Sequence, residues 1–284
     1  MVIIDGKQIS ASLKENLAKQ VKEFPEKYGR VPHLVVVRVG KDPASVVYVR
    51  NKAKACEAVG IKNTTIVKDE NISEEELLNL IKVLNADDSV DGVLVQLPLP
   101  KHISEAKVIE TISKEKDVDG FHPLNVAGLW QKTPHMEPCT PKGIMYLLKK
   151  MGIDPKGKRA VVIGRSNIVG LPVAKMLLDA NATVTQCHTR TVDMSSVTRQ
   201  AEILVVAAGK AKMVTGDMVS DGVVVIDVGM DRDPETGKLC GDVDFESVAP
   251  KASAITPVPG GVGPMTIACL MQNTVECFLS KQRG

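Results

Sequence analysis

The chain has 284 residues, 44% of them apolar, enough for a sizeable core in one large or two medium domains. Lysine and arginine total 36 against 34 acids, a net charge of +2, and aromatics make up 3%, so neither a basic nucleic-acid face nor a base-stacking platform is expected. No apolar run is long enough to span a membrane, and the opening MVIIDGKQIS reads as neither a signal nor a transit peptide. Six scattered cysteines without a CxxC pair point to reduced thiols in a cytoplasmic protein, not to a disulfide frame or a zinc site.

Strand-like and helical patterns alternate along the first half. HLVVVRV (33–39) precedes a helix that begins after Asp42-Pro43. TTIV (64–67) precedes SEEELLNLIKVLN, in which Ser73 and Glu76 form a capping box. DGVLVQL (91–97) precedes SEAKVIETI. The strands are close to continuously apolar, as in a parallel sheet covered by helices on both faces. The expected fold class is therefore α/β, with two α/β domains and a cleft between them. The first spans 1–138, with a C-terminal helix at 264–284 returning to it; the second, 139–263, is a Rossmann-type NAD(P)-binding domain.

In the second half, CTPKGIMYLLKKMG offers Thr140 as N-cap, Pro141 at the first helical position and Gly152 near the stop. KRAVVIG (158–164), a helix to about Ala180, TVTQC (183–187), AEILVVAAG (201–209) and GVVVIDVG (222–229) follow. In VVIGRSNIVGLP, Gly164 ends a strand and Gly170 opens a helix whose free N–H groups and dipole suit a phosphate. Ser166 stands where a dinucleotide fingerprint has its middle glycine, so the motif is incomplete, while Arg165 adds a charge. After the next strand an NAD site carries an acid for the ribose hydroxyl. Here His188, Thr189 and Arg190 stand instead, which favours a 2′-phosphate and hence NADP. The plainer reading of Arg190 is a solvated surface side chain.

In the first half, Tyr48 and Lys52 are four residues apart, which puts them on one helix face about 6 Å apart along the axis. Alone, the pair reads as a rim lysine and a half-buried tyrosine. Gln96, however, ends the VLVQ strand, where ligands of open α/β sheets bind. In KDVDGFHPLN, one of Asp117 and Asp119 can make an Asx turn while the other accepts from an amine-bearing heterocycle. Gly260 and Gly261 in TPVPGGVGPMT let backbone approach a flat ring closely, and the following helix takes Pro264 at its first position.

Taken in order, YVRNK, VLVQLPLP, KDVDGFHPLN, PCTPKG, GRSNIVGLP and TPVPGGVGPMT resemble the bifunctional methylenetetrahydrofolate dehydrogenase/methenyltetrahydrofolate cyclohydrolase family along nearly the whole chain. The resemblance implies NADP-dependent oxidation of 5,10-methylenetetrahydrofolate, then hydrolysis of the methenyl product to 10-formyltetrahydrofolate, in one-carbon metabolism and purine biosynthesis. It implies that Lys52 is the key catalytic residue, that Gln96 partners it, and that Tyr48 stacks on the aminobenzoate. It places the pterin ring on Asp119, the cofactor phosphates on Gly164, Arg165 and Ser166, and Met230 along the cofactor. Where the family has HSRT this chain reads HTRT, so Thr189 keeps the hydroxyl. The implied assembly is a homodimer, the partner a tetrahydrofolate derivative, with no metal, nucleic acid or membrane. Two other readings share parts of the pattern: a shikimate-type NADP-dependent dehydrogenase, which has no reason for YxxxK, QLPLP and DVDG together, and an inert NADP-binding sensor, which would lack Lys52 or Gln96.

Overall fold

The computed structural model describes residues 1–233 and 236–282, which fall into two compact units. One comprises residues 11–139 and 267–284; the other comprises 1–10 and 140–266.

The chain opens with a short strand, β1 (Val2–Ile3), and helix α1 (Gly6–Lys22), which buries Leu13, Leu17 and Val21 at a four-residue spacing. A short helix α2 (Phe24–Tyr28) leads to β2 (His33–Val39), whose four valines are all buried. Helix α3 (Pro43–Val59) starts where the Asp42 carboxylate accepts from Ser45 N at 2.7 Å and stops at Gly60 in the left-handed conformation. After β3 (Lys62–Lys68), helix α4 (Glu74–Ala86) has the expected Ser73–Glu76 capping box, and three glutamates in its first turn suit the helix dipole. Strand β4 (Gly92–Val95) and helices α5 (Glu105–Thr111) and α6 (Pro123–Trp130) follow.

The three strands form a parallel sheet in the order β3-β2-β4. Val35, Val37, Val93 and Val95 face Leu77, Ile81 and Val108 in the core on one side. At the sheet edge, β3 alternates between half-buried and exposed positions and is less apolar than its neighbours. Beside β4, the Asp91 carboxylate is fully buried and accepts from Arg30 at 2.6 and 2.8 Å and from His33 N at 2.9 Å.

Helix α7 (Cys139–Lys150) begins one residue before the expected cap, so Thr140 lies within its first turn, its hydroxyl 2.9 Å from that of Thr266. Strand β5 (Arg159–Ile163), helix α8 (Gly170–Asp179), β6 (Thr183–Cys187), α9 (Met194–Thr198), β7 (Ile203–Val206) and β8 (Val224–Asp227) make the nucleotide-binding succession. A hairpin pair β9 (Asp231–Arg232) and β10 (Leu239–Cys240), helix α10 (Phe245–Val248) and strand β11 (Ala254–Ile255) complete this unit. Helix α11 (Val262–Lys281) begins two residues before Pro264.

The sheet of this unit is parallel throughout, in the order β1-β11-β8-β7-β5-β6. The expected boundary at 1–138 is corrected at its start. Val2 N donates to Ser253 O at 2.7 Å and Ile4 N to Ile255 O at 2.8 Å, so the first residues extend the sheet of the 140–266 unit. A two-residue strand has no periodicity that would reveal this partner.

Candidate functional site

In the 11–139 unit, Lys52 and Gln96 meet. Lys52 comes from α3 and is 9% exposed; Gln96 directly follows β4, anchored by its amide to Val37 O at 2.8 Å. Lys52 Nζ donates to Gln96 Oε1 at 3.0 Å, and Gln96 Nε2 donates to Leu97 O at 2.7 Å. Both ends of the amide are used, which fixes its orientation and presents an uncharged acceptor to the amine. Leu97–Pro98, immediately after, is a cis peptide. Tyr48, one turn before Lys52, is 36% exposed, and burial of the rest of the ring raises its phenol above the ordinary value.

The two aspartates of DVDG divide their work. The buried Asp117 carboxylate accepts from Gly120 N at 3.1 Å, His122 N at 2.8 Å and Asn125 Nδ2 at 2.8 Å, so it holds the turn. The Asp119 carbonyl accepts from Cys139 N at 3.4 Å, while its carboxylate has no hydrogen-bond partner among the described residues; the residue is half-buried. Desolvation pushes its carboxyl up to about 6; the nearby Lys52 charge pulls it down, and Asp117 adds to the rise. It lines an apolar pocket with Val95, Leu97, Val108, Ile112 and Phe121. The unit thus gathers an amine, a neutral amide and an unpaired carboxylate at the carboxyl end of its sheet.

The other unit holds the remaining predicted residues. Gly164 directly follows β5 with φ +113°, and a Cβ there would lie 2.0 Å from Ala207 O, so only glycine fits the turn. Gly170 opens α8, where a Cβ would lie 2.3 Å from Gly164 O. Ser166 Oγ accepts from Val169 N at 3.2 Å and Gly170 N at 3.3 Å, so the hydroxyl caps the helix that the phosphate reading assigns it to. Gln186 on β6, which sequence reasoning passed over, donates from Nε2 to Gly164 O and steadies the turn. Arg165 and Arg190 are both exposed, on the loops after adjacent strands paired at Ile163 and Cys187. His188 Nδ1 accepts from Arg190 N at 3.1 Å, and His188 N donates to Thr191 Oγ1 at 2.9 Å, which shapes the loop that exposes Thr189. Met230 is 44% exposed, and its methyl group lies 2.9 Å from where a Gly263 Cβ would be.

Gly260 and Gly261 also lie here. Their glycine requirement has a source inside the protein: Gly260 has φ +112°, and a Cβ on Gly261 would sit 2.6 Å from Pro257 O. Gly260 O accepts from Lys7 N at 2.9 Å, so the loop is tied to the start of the chain. All six cysteines are free thiols, five of them buried, and no group of metal-ligating side chains occurs among the described residues.

A parallel sheet with a glycine turn and a helix N-terminus beyond its strands, joined in one chain to a unit carrying a lysine–glutamine–aspartate site, defines a two-unit α/β enzyme that binds a nicotinamide dinucleotide. Residues 4–119 match the tetrahydrofolate dehydrogenase/cyclohydrolase catalytic domain, and residues 138–282 the NAD(P)-binding domain of the same name. The chain belongs to the tetrahydrofolate dehydrogenase/cyclohydrolase family. It is 58% identical over 274 residues to the Bifunctional protein FolD of Magnetococcus marinus, covering 96% of each chain. Its fold is similar to the crystal structure of the bifunctional FolD enzyme of Campylobacter jejuni, with TM-score 0.95, 53% identity and 100% of both chains covered. The Trypanosoma brucei FolD solved with NADP cofactor and inhibitor gives TM-score 0.95 and 38% identity over 100% of this chain and 99% of that one. The shikimate-type alternative is reduced to a fold likeness: the Thermus thermophilus enzyme is 16% identical, with TM-score 0.51, over 89% of this chain and 99% of that one.

Proposed function

We infer that this chain oxidises 5,10-methylenetetrahydrofolate with NADP and hydrolyses the resulting 5,10-methenyl cation to 10-formyltetrahydrofolate. The observation that carries the assignment of residues is the 3.0 Å contact of Lys52 Nζ with a neutral amide beside an unpaired carboxylate. The bound dinucleotide supplies the acceptor for the hydride that leaves the one-carbon bridge. Asp119 accepts from the amino and ring N–H groups of the pterin, and Tyr48 stacks on the aminobenzoate. In the hydrolysis, water adds to the amidinium carbon and the Lys52 amine takes one of its protons; that proton passes to N5 as the carbon–N5 bond breaks, and the remaining hydroxyl proton leaves to solvent as the formyl C=O forms. Gln96 holds the amine in place through an uncharged acceptor.

The residues of the other unit fit a dinucleotide. Gly164 allows the tight turn, α8 turns the positive end of its dipole to the same side although its first N–H groups are taken by Ser166 and Val169, and Arg165 and Arg190 supply charge for phosphate. No carboxylate occurs at 188–192 to repel a 2′-phosphate, which supports NADP over NAD. Met230, Gly260 and Gly261 are assigned to the nicotinamide end of this reading, and the glycine pair to folate contact as well. The free thiols support a reducing, cytoplasmic setting, and the assembly in this reading is a homodimer.

The test is a side-by-side assay of NADP and NAD reduction with 5,10-methylenetetrahydrofolate, with appearance and decay of the methenyl chromophore followed in parallel. NADPH formation with a much lower KM for NADP than for NAD is expected. Equal use of the two dinucleotides would overturn the cofactor assignment, and absence of methenyl decay would overturn the cyclohydrolase.

A further inference from the structure

In the six-stranded sheet the chain leaves β5 towards β6 on one side and then returns to β7 on the other. Dinucleotides bind beyond the carboxyl ends of strands at such a reversal. One wall of this crevice is the Gly164 turn; the other is the loop after β7, residues 207–210. The two walls are in close contact, since Ala207 O lies 2.0 Å from where a Gly164 Cβ would be.

The second wall has an unusual support. Three successive amides, Ala208 N, Gly209 N and Lys210 N, donate to the carboxylate of Asp242 at 2.6, 3.1 and 2.8 Å. Asp242 is fully buried and comes from a segment more than thirty residues further along the chain. Its own amide donates to Asp227 Oδ1 at 3.0 Å, and Val243 N donates to Asp227 Oδ2 at 3.0 Å. Asp227, also buried, ends β8 and takes a third bond from Gly229 N at 2.9 Å. The packing leaves no slack: a Cβ on Gly241 would sit 1.8 Å from Asp227 Oδ2, and one on Gly229 would sit 2.7 Å from Asp242 Oδ1. Six backbone donors are thereby held by two carboxylates that play no part in the chemistry above. A charge-assisted bond is roughly twice as strong as a neutral one, so the 208–210 backbone, though exposed, is fixed far more firmly than a loop without such an anchor.

We propose that Asp242, seated on Asp227, is a positioning residue for the cofactor crevice, fixing the 208–210 backbone as the wall opposite the Gly164 turn. The proposal rests on the reading that this unit binds NADP. It makes Asp242 a determinant of dinucleotide affinity and leaves it without effect on the hydrolysis assigned to Lys52 and Gln96.

The experiment measures wild-type enzyme and Asp242→Asn for KM of NADP, kcat of the dehydrogenase, hydrolysis of preformed methenyltetrahydrofolate, and Tm. An asparagine offers one acceptor where the carboxylate offered two, and its NH2 group faces backbone donors. The expected result is a KM for NADP raised about 10- to 100-fold, as small displacements of a positioning wall produce, with methenyl hydrolysis within about twofold of wild type. Gly209→Ala is the second variant. Gly209 has φ +64° and nothing within 4 Å of its Cβ position, so alanine strains the loop while the buried carboxylates stay intact. It should raise the same KM several-fold with little loss of Tm. An unchanged KM for NADP in both variants overturns the proposal, as does a parallel loss of both activities and Tm in both, which marks a purely structural role. Wild-type enzyme that fails to reduce NADP overturns the underlying reading instead.

Discussion

Replacing Lys52 by methionine separates chemistry from packing. Methionine keeps an unbranched, flexible stem in a slot where the lysine is 9% exposed, and removes only the amine that donates to Gln96 Oε1 at 3.0 Å. Loss of that bond costs about 1 kcal/mol of stability, which shifts Tm by only a few degrees in a protein of this size. Loss of a positioned general acid/base lowers turnover by about 10²- to 10⁴-fold, equivalent to about 3–5 kcal/mol at the transition state. The second effect is much larger than the first, so hydrolysis must fall while the fold persists. The assay adds purified variant to 5,10-methenyltetrahydrofolate and follows decay of its absorbance beside a thermal melt. A drop of at least about 100-fold with a nearly unchanged melt is expected. Decay at the wild-type rate would refute the role of Lys52; a collapse of the melt in step with activity would refute the separation itself.

Gln96→Glu replaces the neutral acceptor 3.0 Å from the Lys52 amine by a carboxylate that holds it more tightly; cyclohydrolase should fall by more than about tenfold, visible in the same absorbance assay. The Asp119 carboxyl is raised from 3.8 to about 6, so it gains its proton as pH falls through about 6, and kcat/KM for the folate should decline there; Asp119→Asn should flatten that limb. Because this group binds its proton more tightly in the folded than in the unfolded chain, its contribution to folding weakens as pH rises from 3.8 to about 6, which melts over that range would detect. Arg190→Ala should raise KM for NADP about tenfold or more and leave KM for NAD nearly unchanged. Lys116→Met strips the donor from three carbonyls at the end of α4, those of Leu84, Asn85 and Asp87 at 3.0, 2.7 and 2.7 Å; a loss of about 3 kcal/mol, read by denaturant titration, is expected.

Features fixed by local spacing were legible in the sequence. The Ser73–Glu76 box and the glycine turn at 164 follow from neighbouring residues, because caps and turns are satisfied within a few positions. The Tyr48–Lys52 pair was legible for the same reason, and the parallel sheets followed from apolar strands alternating with helices. Long-range partnerships were not. Nothing local distinguishes Asp117 from Asp119; only the folded turn, with three donors converging on Asp117, leaves Asp119 unpaired. Lys52 and Gln96 are 44 residues apart, and their 3.0 Å contact exists only because α3 packs on β2 and β3, which brings Lys52 to the residue that follows β4. The pairing of β1 with β11, and the seating of Asp242 under the 208–210 amides, join segments whose own patterns carry no trace of each other. Sequence periodicity reports which face of an element is buried; which buried polar groups meet is decided by tertiary packing, since each buried donor or acceptor needs a partner wherever the chain can supply one.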